Sequence, residues 1–521
     1  MSGIMINQDE NTYYCSRKLH LDAINEDYLK QHILQYEGLD VTDYVFNVSS
    51  SMSAYPSRVK TSYSDKYLRK EEYGQPVDYS NTPCKTAYHI WNVLGLDLFQ
   101  IWIDAARSIN INPWFSFRMN DRHAHHLLPK PQWVLSDFFY DHVEEYAHVH
   151  GRKTEFWQDR ARDYLIPEVR QEMLAYMAEA LERYDLYGIE LDFQREFNCF
   201  PPGHEEEGRE VLVGFMKDVK AVVTNAQQKW GHAIKIAVRC HPDPIACYEL
   251  GFDILEYAKQ GLMDLYIAAP HFLSSDSNMP IGFWKALLEP YGVEVAGSME
   301  AMVRSYPDSD AQYGTLDTFQ SVESTMGIAS YVLSQGADKF YLYNVFDHHD
   351  DMITPEKKVE DNQLYIVGRC TSASGAYTLL SNAGSMEKLH KCRRKCILSY
   401  ADTCAIGDVV KAVLPVTLTR QKTDGLPTYL KINTGSLLPT DKVYLRLAIA
   451  GDASKLEVYV NDKAAQYVGS EDVGFPKGTP NPVHKYLVSN EAYSPCAQVS
   501  ELIYRGEGKL VIDYADMIVE P

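Results

Sequence analysis

The sequence predicts an α/β fold, a (β/α)8 barrel followed by a smaller all-β sandwich. Three observations lead there. Up to about residue 365, short strand-like segments alternate with helical ones, and eight such strands can be picked out. The best defined, Tyr187-Gly188-Ile189-Glu190-Leu191-Asp192-Phe193-Gln194, has two faces: Ile189, Leu191 and Phe193 on one, Glu190, Asp192 and Gln194 on the other. Beyond residue 365 the helical pattern gives way to short alternating segments separated by Pro and Gly turns. The expected division is therefore a barrel over residues 1–365 and a sandwich over residues 366–521.

Each element follows in turn. Ile4-Met5-Ile6 opens the barrel, Asn25 to Tyr36 has helical spacing, and Asp43 to Ser49 reads as the second strand. The polar stretch from Ser50 to Thr82 is too long for a simple connection and is expected to fold over the pocket. A helix from about His89 to Ser108 leads to the third strand, Asn112 to Asn120, with Ser116, Arg118 and Asn120 on one face. The helix from Val169 to Arg183 precedes the two-faced fourth strand. Phe200-Pro201-Pro202-Gly203 breaks the chain before a helix from Glu207 to Trp230. The fifth strand, Ala233 to His241, carries Lys235, Ala237, Arg239 and His241 on one side. Met263 to His271 is the sixth strand and Val293 to Glu300 the seventh; a helix from Thr318 to Gln335 leads to the eighth, Lys339 to Asp347. In the second unit, Val443 to Ile449, Leu456 to Asn461 and Lys509 to Tyr514 alternate as sandwich strands do.

Composition narrows the function classes. The 521 residues carry a formal net charge of -21, and the one basic run, Arg393-Arg394-Lys395, is too short to offset it. A nucleic-acid or anionic-membrane partner is not expected. No apolar run reaches membrane-span length and the amino terminus lacks a signal-peptide pattern, so a cytoplasmic protein, or a secreted or periplasmic one with its leader removed, is expected. The 10 cysteines are scattered; Cys392 and Cys396, with Cys404 beyond, lack a second ligand pair, and reduced thiols are expected. No cofactor is implied, and nothing in the sequence fixes an assembly state.

Function in a barrel lives at the C-terminal ends of the strands. Asp192 ends the fourth strand, Glu196 follows it, and Glu300 ends the seventh. Glycoside hydrolysis needs two such carboxyl groups, one to protonate the leaving oxygen and one to attack or to activate water. Glu190 lies deeper and reads instead as a member of a buried ion-pair network with Arg118, Lys235 or Arg239.

The Gly188-Ile189-Glu190-Leu191-Asp192-Phe193 stretch, with the Pro167-Glu168-Val169-Arg170 helix start before it, resembles the family-10-like barrel glycosidases. The resemblance covers roughly residues 1–360 and is specific only around the fourth strand. It implies a glycoside hydrolase acting on an oligo- or polysaccharide, with Asp192 or Glu196 as acid/base and Glu300 as nucleophile or base. The usual Asn-Glu signature of the fourth strand is absent here. Arg118, Asn120, Asp121, His123, Arg239, His241, His271 and Asn344 would line the cleft and bind hydroxyls or a carboxylate. Their Arg and His content raises an acidic or sulfated sugar as one substrate class. Trp102, Trp114 and Trp284 either stack on sugar faces or pack the core, the commoner fate. Two rivals stand beside this reading: a non-catalytic carbohydrate-binding barrel, and a metal-dependent hydrolase using Asp121, His123, His125 and the Asp347-His348-His349-Asp350 run.

Overall fold

The computed structural model describes residues 3–9, 13–14, 21–121, 123–127, 130–148, 160–194, 196–270, 274–300, 302–307, 315–344, 373–399, 414–420, 427–471 and 482–521. Its first unit is a closed barrel of eight parallel strands. They are β1 (Ile4–Gln8), β2 (Val41–Ser49), β3 (Asn112–Arg118), β4 (Gly188–Asp192), β5 (Lys235–Cys240), β6 (Leu265–Ala268), β7 (Glu294–Met299) and β8 (Lys339–Leu342). They follow one another around the barrel in chain order, and β1 closes against β8 with Met5 opposite Tyr341.

Helices intervene as the sequence pattern requires: α1 (Glu26–Leu34), α2 (Leu98–Ser108), α3 (Pro167–Arg183), α4 (Glu205–Trp230), α5 (Ile254–Lys259), α6 (Ile281–Leu288), α7 (Val322–Ser334) and α8 (Ala373–Leu380). Local chemistry sets their ends. Asn25 and Asp97 accept from the backbone of Tyr28 and Gln100 to start α1 and α2, Pro167 occupies the first turn of α3, and Ser321 forms a capping box on α7. Gly231 stops α4 at φ 77°, a left-handed conformation suited to glycine.

The strand alternation sorts side chains into two cores. Ile4, Phe46, Phe115, Ile189 and Phe340 face outward and pack with the helices. Met5, Val45, Trp114, Ala237, Leu265, Ile267, Ala296, Tyr341 and Tyr343 face inward and plug the barrel. Gly188 is required by that plug, because a Cβ there would lie 2.3 Å from the Trp114 ring. At the N-terminal face Asp43 gathers the indole N–H of Trp114 (2.9 Å), Asn112 Nδ2 (3.0 Å) and Lys339 Nζ (2.8 Å). Asp264 and Asp338 accept from the backbone N–H of Ile236 and Val295 and stitch neighbouring strands there. Trp102 and Trp284 are likewise core residues, donating to Leu29 O and Pro242 O.

The long segment after β2 is a structured insertion rather than a simple cover. It holds a short helix (Tyr63–Tyr67) and a two-stranded hairpin. It packs against α3 through Glu179, which accepts from the Arg58 backbone (2.8 Å), and against the helix Asp137–Tyr146 through Arg69 and Asp137 (2.7 Å).

The second unit has two antiparallel sheets. One joins β9 (Arg394–Ile397), β10 (Val416–Thr419), β12 (Lys442–Ala450), β15 (Gln466–Glu471), β16 (Val483–Val488) and β18 (Lys509–Glu520); the other joins β11 (Thr428–Asn433), β13 (Leu456–Val460), β14 (Lys463–Ala464) and β17 (Ala497–Tyr504). Leu430, Leu445, Val458, Leu502 and Ile512 fill the space between them. The expected division near residue 365 falls at positions outside the described residues; α8 beyond it packs Ala376, Leu379 and Leu380 into the barrel's outer core. The two units meet through α7 and β9. Gly327 lets the β9 backbone approach so closely that a Cβ would lie 2.3 Å from Lys395 O, and Arg394 donates to Ser330 Oγ at 2.8 Å. Among the described residues no helix is long and apolar enough to cross a membrane.

Candidate active site

Above the apolar plug the inward positions turn polar. Glu190 comes first, fully buried, with its two oxygens accepting from Ser116 Oγ and the Tyr341 hydroxyl, each at 2.6 Å. Burial, reinforced by the charge of Asp192 and only partly offset by Arg239, pushes its carboxyl up to about 7. The ion pair expected at Glu190 belongs instead to the next residue on the same face. Asp192 and Arg239 are register partners on β4 and β5, and Arg239 Nη1 donates to Asp192 Oδ1 at 2.8 Å. The other arm of the same guanidinium, Nη2, donates to Glu300 Oε1 at 2.6 Å.

Arg239 therefore ties the end of β4 to the residue that follows β7. Its fork holds the two carboxylates on one guanidinium. The guanidinium also lies over Tyr343, its carbon 3.6 Å from the ring centroid. Tyr343 donates its hydroxyl to Asp192 Oδ2 at 2.9 Å, and the Gln194 backbone N–H donates to Asp192 Oδ1 at 3.1 Å. Burial alone would push Arg239 down, but Asp192, Tyr343 and Glu300 around it raise its pKa well above the ordinary arginine value. Glu300 is further held by Ser275, whose hydroxyl accepts from the Glu300 N–H and donates to its carbonyl. Glu196, on the segment after β4, is fully buried.

A second ion-pair group stands beside the first, Arg118 on β3 being the register partner of Asp192 on β4. Arg118, at the end of β3, donates to Asp9 Oδ2 at 3.0 Å and to Asp121 Oδ2 at 3.2 Å. Asn344 Nδ2 reaches the same Asp9 oxygen at 3.3 Å, and the ring of His123 contacts Asp121 Oδ1 at 2.7 Å. The structure thus brings Arg118, Asp121, His123 and Asn344 together around Asp9, and Asp192, Arg239 and Glu300 together around one guanidinium. Asn120 is occupied elsewhere: its amide donates to Asn198 O and accepts from the Arg162 N–H. His241 follows β5, accepting from the Asp243 N–H through Nδ1 and meeting Phe197 edge-on. His271 and the run Asp347 to Asp350 lie outside the described residues. Of the remaining residues named for a metal, His125 is buried and stacked on Phe139 at 3.7 Å.

Asp9, Tyr341 and Tyr343 were missed by sequence reasoning although their signal was present. Asp9 continues the inward alternation Met5, Asn7, Asp9, and Tyr343, just past β8, continues that of Tyr341. Only the stagger of the barrel shows that these positions reach Arg118, Glu190 and Asp192.

The sequence matches no protein-family model and no curated protein. Among solved structures, it is similar to a cycloisomaltooligosaccharide glucanotransferase of Paenibacillus sp., with 9% identity over 99% of this chain and 57% of that one, at a TM-score of 0.34. A GH138 enzyme targeting pectin rhamnogalacturonan II aligns at 12% identity over 74% of this chain and 39% of that one, TM-score 0.40. A chitinase from Bacillus thuringiensis aligns at 10% identity over 98% of this chain and all of that one, TM-score 0.39. The chain spans well under two thirds of the first two.

Proposed function

We propose that the protein is a glycoside hydrolase of oligo- or polysaccharides, working with carboxyl groups from β4 and β7. The observation that carries this reading is the Arg239 bridge, which anchors Glu300, after β7, to the end of β4, the strand that Glu196 follows, at the catalytic end of the barrel. Asp192 accepts hydrogen bonds on both oxygens, from Arg239, Gln194 and Tyr343. With both oxygens engaged in this way, Asp192 serves as a positioning residue for Arg239. Glu300 is the nucleophile or base, and Glu196 is the acid/base. The family-10-like assignment belongs to this same reading and rests on the fourth-strand motif. The sandwich braces the barrel through α7, as an accessory domain.

The commitment of Asp192 to an internal ion pair also favours a second reading, a barrel that binds carbohydrate without cleaving it. Hydrolysis of a panel of aryl glycosides and oligosaccharides by wild type, Glu300→Gln and Glu196→Gln, with and without chelator, separates the two. The expected result is turnover that survives chelator and falls by about a thousandfold or more in kcat/KM in both variants. Full activity in Glu300→Gln, or loss of activity on chelation, overturns the proposal. Binding without turnover of any panel member selects the second reading.

A further inference from the structure

We infer that Asn7 and Gln194 read the hydroxyl groups of a neutral sugar in this site, an assignment that rests on the carbohydrate reading above and names its substrate class. Both amides are almost wholly buried, at 1% and 2% exposure. Neither atom of either side-chain amide has a hydrogen-bond partner among the described residues. Burying an unpaired amide is costly, and folded proteins keep such groups mainly where a ligand or ordered solvent completes them.

Their positions point the same way. Asn7 lies on β1 opposite Val45, between Met5 in the barrel plug and Asp9 in the Arg118 group, and so faces inward. Gln194 lies two residues beyond Asp192 on the face that Glu190 and Asp192 share, with its own N–H bonded to Asp192. β1 and β4 are three strands apart around the barrel, so the two amides address the mouth from different sides while Glu300 enters after β7. A primary amide presents a donor and an acceptor together. This matches a sugar hydroxyl, which is both.

Charge selects the class of sugar. Arg239 is flanked by Asp192 and Glu300, and Arg118 by Asp9 and Asp121. Among the described residues each guanidinium is thus matched by two carboxylates. A uronate or sulfate would meet a field of its own sign at these positions, contrary to what a bare count of Arg and His in the sequence implies. A neutral sugar meets no such opposition.

The test uses near-isosteric apolar replacements, Asn7→Leu and Gln194→Met, in the full chain, read by calorimetric titration and by thermal melting. The probes are neutral monosaccharides and their aryl glycosides, each paired with the corresponding uronic acid. Wild type is expected to bind a neutral sugar at least about tenfold more tightly than its uronate. Each variant is expected to weaken that binding by about tenfold or more while its Tm holds or rises, because an unpaired amide has been removed. A lower Tm with unchanged affinity shows that the amides have a structural role and overturns the inference, as does tighter binding of the uronate. Neutral-sugar binding with this variant pattern, but no hydrolysis, overturns the hydrolase reading alone. Absence of binding to every probe overturns both.

Discussion

Glu190 offers the sharpest physical prediction. Its carboxyl is raised from 4.5 to about 7, so the folded protein holds this proton more tightly than the unfolded chain. The resulting stabilisation is complete below about pH 4.5 and is lost as pH rises through about 7. At about 1.4 kcal/mol per pKa unit, the difference corresponds to on the order of 3 kcal/mol. With an unfolding entropy of about 2.1 cal/mol/K per residue, a chain of this size has roughly 1 kcal/mol/K, and the effect is about 3 °C in Tm. Glu190→Gln keeps the shape, with an oxygen to accept and an N–H to donate between Ser116 and Tyr341, and removes the titration. Differential scanning calorimetry of both proteins from pH 5 to pH 8 reads the effect of this carboxyl and its coupling to Asp192. The variant's Tm relative to wild type is expected to climb by about 2 °C across that range. A difference that stays flat from pH 5 to pH 8 would refute the reasoning, showing that Glu190 does not titrate there.

Two further predictions concern the scaffold. Lys60 is buried, with Nζ 3.8 Å from Glu172, and burial pushes its pKa down to about 8. At pH 7 both states carry the proton and the folded state bears the whole penalty, so Lys60→Met is expected to raise Tm by a few degrees, a gain that shrinks between about pH 8 and pH 10.5; a clear fall in Tm at pH 7 would show that the pairing with Glu172 outweighs burial. Gly327→Ala forces β9 away from α7, because the new Cβ would lie 2.3 Å from Lys395 O; a loss of about 1–3 kcal/mol is expected in denaturant unfolding, and an unchanged midpoint would show that the two units yield there freely.

The barrel was legible in the sequence because its two signals are local. Period-two alternation marked each strand, and helical spacing marked the segments between. The inner face of β4 could be read residue by residue for the same reason. What could not be read is which inward groups meet, since that depends on strand stagger. Sequence reasoning offered Glu190 as the partner of Arg118, Lys235 or Arg239, whereas the register sets Arg239 beside Asp192 and leaves Glu190 to Ser116 and Tyr341. Asn120 has the residue type and strand position of a substrate ligand, but non-local backbone at Asn198 and Arg162 uses both ends of its amide. The insertion after β2 was recognisable by its length, while its docking on α3 depends on Glu179, a long-range contact with no local signature.

The central claim is that Glu300 performs chemistry on a glycosidic bond, and chemical rescue of Glu300→Ala by azide tests it most directly. In that variant Arg239 still holds Asp192, so the site keeps one side of its bridge while the attacking or activating carboxylate is gone. The account predicts that release of the aryl leaving group from an activated glycoside collapses in Glu300→Ala, returns with added azide, and yields a glycosyl azide. Turnover by Glu300→Ala at the wild-type rate, with azide making no difference, would contradict it.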